Sequence, residues 1–145
     1  MNVYQKKLEL RWADLDPNFH LRHSVYYDYG AYIRFSYFHD YGITQQVLTD
    51  HHFGPIIFRE ECIFRRELKM GDNITINLEL LKAREDYSRW TIVHQLKKDD
   101  QLAALITLDG AWIDTQIRKL TGLPPAFQPI FGQIPRSENF EWNVK

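Results

Sequence analysis

The stretch SVYYDYGAYIRFSYFHDYG, residues 24–42, decides how the rest of this chain must fold. By composition it leans toward a strand, because aromatic residues suit a pleated surface. Its length and punctuation argue for a helix instead. Ser24 suits an N-cap, Asp28 brings negative charge to the first turn, and Gly42 suits the residue just past the C-terminus. Tyr26, Tyr29, Ile33, Tyr37 and Tyr41 recur at three- and four-residue spacing and form an apolar stripe. Tyr27, Ala31, Phe35 and Phe38 form a second stripe. A helix apolar on nearly every side must be wrapped by something else. Gly30 and Ala31 leave room for a close neighbour.

The material for wrapping lies on both sides. Upstream, VYQKKLELRW (3–12) reads as a strand with Leu8, Leu10 and Trp12 on one face, followed by WADLDPNFHLRH (12–23) as a loop with a turn at Pro17-Asn18. Downstream come four strand candidates at 55–68, 73–85, 87–98 and 102–115. Ile74, Ile76, Leu78 and Leu80 alternate cleanly, and Trp90, Ile92, His94 and Leu96 share a face. The joints at Met70–Asn73, Glu85–Tyr87 and Lys98–Gln101 are short and polar, like hairpin turns. From about 117 to 145 the chain turns Pro-rich and reads as an irregular tail. Strand, helix and four strands in an antiparallel meander predict an α+β domain over residues 1–145. Its curved sheet of about five strands wraps one long central helix.

Bulk properties narrow the function. A chain of 145 residues forms one domain, and a net charge of −1 provides no field to recruit nucleic acid. Aromatics at 14% need a large buried area, which favours a subunit interface or an apolar tunnel. Exposed sheet edges and a leftover apolar helix face point to a homo-oligomer, a homodimer or homotetramer. The single cysteine, Cys62, permits no intrachain disulfide and reads as a buried, inert thiol. No stretch has the apolar length of a membrane span or the apolar centre of a signal peptide, so a cytoplasmic protein is expected. A calcium loop at Asp14, Asp16 and Asn18 fails, because Phe19 stands where the loop needs Gly and Val25 where it needs Glu. His20, His23, His51, His52 and Cys62 have no zinc-ligand spacing, so no metal is expected.

The run Asp14-Leu15-Asp16-Pro17-Asn18-Phe19-His20-Leu21-Arg22-His23-Ser24-Val25-Tyr26 resembles the signature of the hotdog-fold acyl-CoA thioesterases of the 4-hydroxybenzoyl-CoA thioesterase family. IFRRELKMGD (63–72) matches a second family stretch, and Leu123-Pro124-Pro125 loosely matches a third, so the likeness covers about residues 5–125. His23-Ser24-Val25-Tyr26 is similar to the Tol-Pal-associated branch. Phe19 stands where Gly is common, Arg22-His23 replaces Asn-Asn, and Trp12 stands where that branch has Tyr.

The resemblance implies hydrolysis of an acyl-CoA thioester. It makes Asp16 the catalytic carboxylate, as nucleophile or general base, and the backbone N–H of His23 the oxyanion donor. Such chemistry needs a base or nucleophile and a stabiliser of developing negative charge, and a carboxylate just ahead of a helix N-terminus can offer both. The His23 imidazole would orient water or donate a proton. His20 and Tyr26 would contact the substrate, the helix aromatics would line an acyl tunnel, and Arg65, Arg66 or Lys69 would meet CoA phosphates. No cofactor is implied beyond the CoA of the substrate. Asp14 reads as structural and Asp28 as a reserve carboxylate. Two rivals share the fold. One is an acyl-binding domain without activity. The other is a hydratase or dehydratase, whose Asp–His spacing and Gly-Asp context are missing here.

Overall fold

The long aromatic run becomes helix α1, Tyr26–Asp40, in the computed structural model, which describes residues 2–142. Gly42 adopts φ 92° just beyond it, the left-handed conformation that ends helices and that glycine tolerates. The N-terminus differs from expectation. A 3₁₀ turn, His23–Val25, runs into α1, and Val25, not Ser24, holds the N-cap position without a side-chain cap. Ser24 Oγ accepts from Arg22 Nε at 3.2 Å instead.

One face of α1 is buried, formed by Tyr26, Gly30, Ile33 and Tyr37. The sheet that covers it has eight strands: β1 (Gln5–Leu8), β2 (Phe53–Phe64), β3 (Ile74–Asn77), β4 (Glu79–Ala83), β5 (Arg89–Lys98), β6 (Gln101–Asp114), β7 (Lys119–Leu120) and β8 (Arg136–Trp142). The alternating run 74–80 is split at Leu78, whose N–H donates to the carbonyl of Tyr4. β3 and β4 therefore both pair with β5. β1 lies beyond β3, and β8 runs parallel to β4. On its other side β5 pairs with β6, and β6 pairs with β2.

This order corrects the expected meander. The segment around Met70–Asn73 does not join paired strands, because β2 lies against β6, with β5 and β6 between it and β3. The β5–β6 joint is a tight hairpin in which Asp99 and Asp100 take φ 49° and 66°, the twist that matches flanking strands. All four of Trp90, Ile92, His94 and Leu96 are buried, as are Ile74, Ile76, Leu78 and Leu80. The first strand is shorter than read. A 3₁₀ turn at Trp12–Asp14 breaks the alternation, and Trp12 is 74% exposed.

Two further segments carry structure. The connector after α1 holds α2, Gln45–Asp50, capped by Thr44 Oγ1, which accepts from Val47 N–H. The Pro-rich tail is not irregular. It contains β7, the short α3 (Gln128–Gly132) and β8. Phe131 drops into the core among Phe38, Tyr87, Trp90 and Trp112, and Tyr37 Oη donates to the Ile130 carbonyl at 2.6 Å. The tail thus closes one end of the curled sheet over the end of α1. Burial of this aromatic set is the main stabilising term there, since each large ring removes well over ~100 Å² from water.

Candidate active site

The loop between β1 and α1 is built by two carboxylates with different surroundings. Asp14 is 1% exposed. It accepts from Arg11 N–H at 3.1 Å, from Arg11 Nη2 at 2.6 Å and from Tyr29 Oη at 2.7 Å. These bonds hold its pKa down to about 2, the Arg11 guanidinium contributing most. Its ligands are all occupied by structure, which agrees with the structural reading of Asp14. Tyr29, fifteen residues away on α1, is the partner that the sequence did not reveal.

Asp16 closes a tighter turn. Its N–H donates to the His20 carbonyl at 2.8 Å, and its own carbonyl accepts from Phe19 N–H at 2.9 Å. Oδ1 accepts from the N–H groups of Asn18 and His20 at 2.9 and 3.0 Å. That leaves Oδ2 outside the turn's network. Phe19 sits at φ 64°, a conformation strained for an aromatic residue, and its exposed ring lies 5.9 Å from that of Trp12.

All six residues expected at the site line one cavity of about 330 Å³: Asp16, His20, His23, Tyr26, Arg65 and Arg66. Three elements bring them together. The turn presents Asp16 and His20, the start of the helical run presents His23 and Tyr26, and the chain leaving β2 presents the two arginines. The N–H groups of Arg65 and Arg66 both donate to the Ala103 carbonyl, at 2.8 and 3.0 Å, which fixes the backbone just past β2. Neither guanidinium has an ion-pair partner among the described residues. His20 Nε2 lies 3.2 Å from Glu67 Oε2, a neighbour the sequence reading did not single out. Burial pushes the Tyr26 phenol up to about 12, so it stays protonated, with its ring edge-on to Phe64 at 4.9 Å.

Two expected residues fall elsewhere. Asp28 lines a separate groove with Lys7, Arg11 and Tyr32, away from Asp16. Lys69 lines neither this cavity nor the adjoining groove of about 590 Å³, which is lined by Arg65, Arg66, Glu67, Lys98, Asp99 and Gln101. Cys62 is half-buried, and desolvation raises its thiol to about 11, which suits an inert thiol. Among the described residues no three His, Cys, Asp or Glu side chains cluster as metal ligands would.

A carboxylate in a tight turn, two imidazoles, two guanidiniums and the start of the helical run thus share one cavity on a curled sheet that wraps α1. The profile of the thioesterase-like superfamily matches residues 10–131, and the chain belongs to that superfamily. No curated protein matches it by sequence. Among solved structures it is similar to a 1,4-dihydroxy-2-naphthoyl-CoA thioesterase from Synechocystis, with a TM-score of 0.80 and 16% identity over 91% of this chain and 97% of that one. A hypothetical protein from Staphylococcus aureus in complex with CoA matches with a TM-score of 0.83 and 17% identity over 99% and 95% of the two chains. A Thermus thermophilus thioesterase complexed with coenzyme A and Zn gives 0.71 and 23% over 88% and 90%. These likenesses establish the hotdog fold. Among the described residues no helix is long and apolar enough to cross a membrane.

Proposed function

We propose that this protein hydrolyses an acyl-CoA thioester to a free acid and CoA. The carrying observation is that Asp16 and His23 line one cavity with Arg65 and Arg66. The first pair suits the reacting carbonyl, and the second suits phosphates. The thioester carbonyl lies at the start of the helical run, where the leading N–H groups have no partner within the helix and attract an oxyanion. Asp16 either attacks the carbonyl carbon, giving an anhydride that water then opens, or takes a proton from the attacking water. In both routes the C–S bond breaks, a water oxygen enters the products, and the CoA sulfur leaves and is protonated. The His23 imidazole is within the same cavity to orient water or supply that proton. The CoA diphosphate passes Arg65 and Arg66 into the adjoining groove, where guanidinium forks suit phosphate oxygens.

The active form is a homodimer. Among the described residues β2 pairs with β6 along one edge only, and its Ile57, Phe58, Ile63 and Phe64 are exposed, as is Phe35 of α1. A free edge of this length with apolar side chains invites a second copy. Sedimentation should give twice the monomer mass, or four times it if dimers pair. We place the protein in the cytoplasm, where CoA esters are used.

The test is free-thiol release from a panel of short, medium, long and aromatic acyl-CoAs. Turnover of at least one class supports the proposal, and the panel names the class. Saturable binding of acyl-CoA with no thiol release from any member would replace it with a non-enzymatic acyl-binding role.

A further inference from the structure

Asp16 has one carboxylate oxygen outside its turn. Oδ1 is held by the N–H groups of Asn18 and His20 at 2.9 and 3.0 Å, which leaves Oδ2 to react. When Oδ2 attacks the thioester carbon, the resulting anhydride leaves Asp16 no free oxygen to take a proton from the water that must open it. A second base is then required. The Tyr26 phenol, raised to about 12, keeps its proton, and the guanidiniums of Arg65 and Arg66 have no acceptor. The cavity's remaining candidates are the imidazoles of His20 and His23 and the carboxylate of Glu67. Imidazole suits the task, because it takes and returns a proton near neutral pH.

His20 is the better placed of the two imidazoles. Its backbone is tied to Asp16 twice: its N–H donates to Oδ1 at 3.0 Å, and its carbonyl accepts from the Asp16 N–H at 2.8 Å. A bridge to Lys69, and the Leu21 N–H bond to the Leu68 carbonyl at 2.6 Å, fix the same backbone to the chain beyond β2. That chain delivers Glu67, whose Oε2 lies 3.2 Å from His20 Nε2. Two lone pairs would repel at that separation, so Nε2 carries the hydrogen and Nδ1 the lone pair of the neutral ring. No hydrogen bond among the described residues engages Nδ1. Bond lengths keep Nδ1 within about 5 Å of its own backbone nitrogen, and so within about 8 Å of Asp16 Oδ1. One water about 3 Å from Nδ1 and about 3 Å from an acyl carbon on Asp16 spans that interval. His23 lacks these constraints: it is exposed, and no described side chain sets its tautomer.

Resting on the thioesterase reading of the Asp16 site, we propose that His20 is the general base for the water that opens the anhydride, and that Glu67 is its positioning residue. In the first step Asp16 Oδ2 bonds to the thioester carbon. The C–S bond breaks with its electron pair on sulfur, which takes a proton from His23 or solvent. In the second step a water oxygen bonds to the acyl carbon, and one water hydrogen passes to His20 Nδ1. The bond to Oδ2 breaks, and its pair returns to the carboxylate. The free acid leaves, and the imidazolium returns its proton to solvent. A carboxylate that holds an imidazole in one tautomer recurs in acyl-transfer sites.

The test follows thiol release from the best acyl-CoA of the panel, at short and long times, for wild type, His20→Ala, Glu67→Ala and Glu67→Gln. Ala at position 20 keeps both backbone ties to Asp16, and the Glu67 side chain is 76% exposed, so all four proteins should melt at the same temperature. His20→Ala should release one thiol per chain in a burst and then open its anhydride at least ~10²-fold more slowly. Its kcat and KM should fall together, because the slowed step follows the departure of CoA. Added imidazole should restore at least ~10-fold of the lost rate. Glu67→Ala should slow the same step by at least ~10-fold, and Glu67→Gln, which still offers Nε2–H an oxygen, should stay closer to wild type. If His20→Ala does not fold, the two Glu67 variants decide the matter, and rates equal to wild type in both overturn the proposal. Wild-type turnover with equal kcat in His20→Ala, or a loss with no burst that imidazole does not restore, also overturns it and leaves the thioesterase reading intact. No thiol release by wild type from any acyl-CoA would reject that reading, and this base with it.

Discussion

Replacing Asp14 by Asn removes the anchor of the loop between β1 and α1 while keeping its shape. The buried carboxylate accepts from Tyr29 Oη at 2.7 Å and from Arg11 Nη2 at 2.6 Å, on different oxygens. An amide can serve only one of these donors and turns an N–H₂ toward the other. Loss of a charge-assisted bond to a buried group costs about 1.5–3 kcal/mol. The Arg11 side adds less than about 1 kcal/mol, because the arginine side chain is 74% exposed and well solvated. The expected loss is therefore about 2–4 kcal/mol at pH 7, read from urea unfolding. The same structure sets a pH signature. The Asp14 pKa is lowered to about 2 from the ordinary 3.8, so its stabilisation is fully present above about pH 5 and is lost as pH falls toward 2. The gap between wild type and the variant should shrink by roughly 1 kcal/mol between pH 7 and pH 3. A gap under about 0.5 kcal/mol at pH 7, or one that does not change with pH, would refute the assignment of Asp14 as a buried anionic anchor.

Other expectations follow from packing. A Cβ added at Gly110 would collide with the Trp90 ring and come within 2.6 Å of the Ile56 carbonyl, so Gly110→Ala should lower stability by about 3 kcal/mol or more in thermal unfolding, and a neutral result would contradict the packing. Tyr37→Phe removes the bond to the Ile130 carbonyl and should cost about 1 kcal/mol, with faster amide exchange in α3 as its mark; unchanged exchange there would detach the tail from the helix. Cys62, with its thiol raised to about 11, should react with iodoacetamide at pH 8 about 100-fold more slowly than free cysteine, and comparable rates would show that it is not shielded as described.

How much of this was legible beforehand depends on range. Helix α1 could be read because its length, its Gly42 stop and its three-to-four spacing are local. The inward faces of β3 to β5 were legible for the same reason, since period-2 alternation needs no partner. The partner of β2 was not, because pairing with β6 rather than β3 is settled by a contact some fifty residues away. Trp12 was misplaced because the 3₁₀ turn at Trp12–Asp14 breaks the alternation just where the strand seemed to continue. The prolines of the tail suggest an irregular chain, yet Phe131 supplies enough apolar surface to pull it onto the core. In the site, the spacing of Asp16, His23 and Tyr26 was visible, whereas Tyr29 under Asp14 and Glu67 beside His20 needed the helix and sheet to meet.

The central claim is that the Asp16 carboxylate carries the chemistry. The most direct measurement compares free-thiol release by wild type and Asp16→Asn on the best acyl-CoA of the panel, with both proteins shown to unfold at the same temperature. Asn retains the acceptor for the Asn18 and His20 N–H groups, so the turn should persist. The account predicts a fall in kcat of at least ~10²-fold, with KM little changed. Equal kcat in the two proteins would contradict it and remove Asp16 from the reaction.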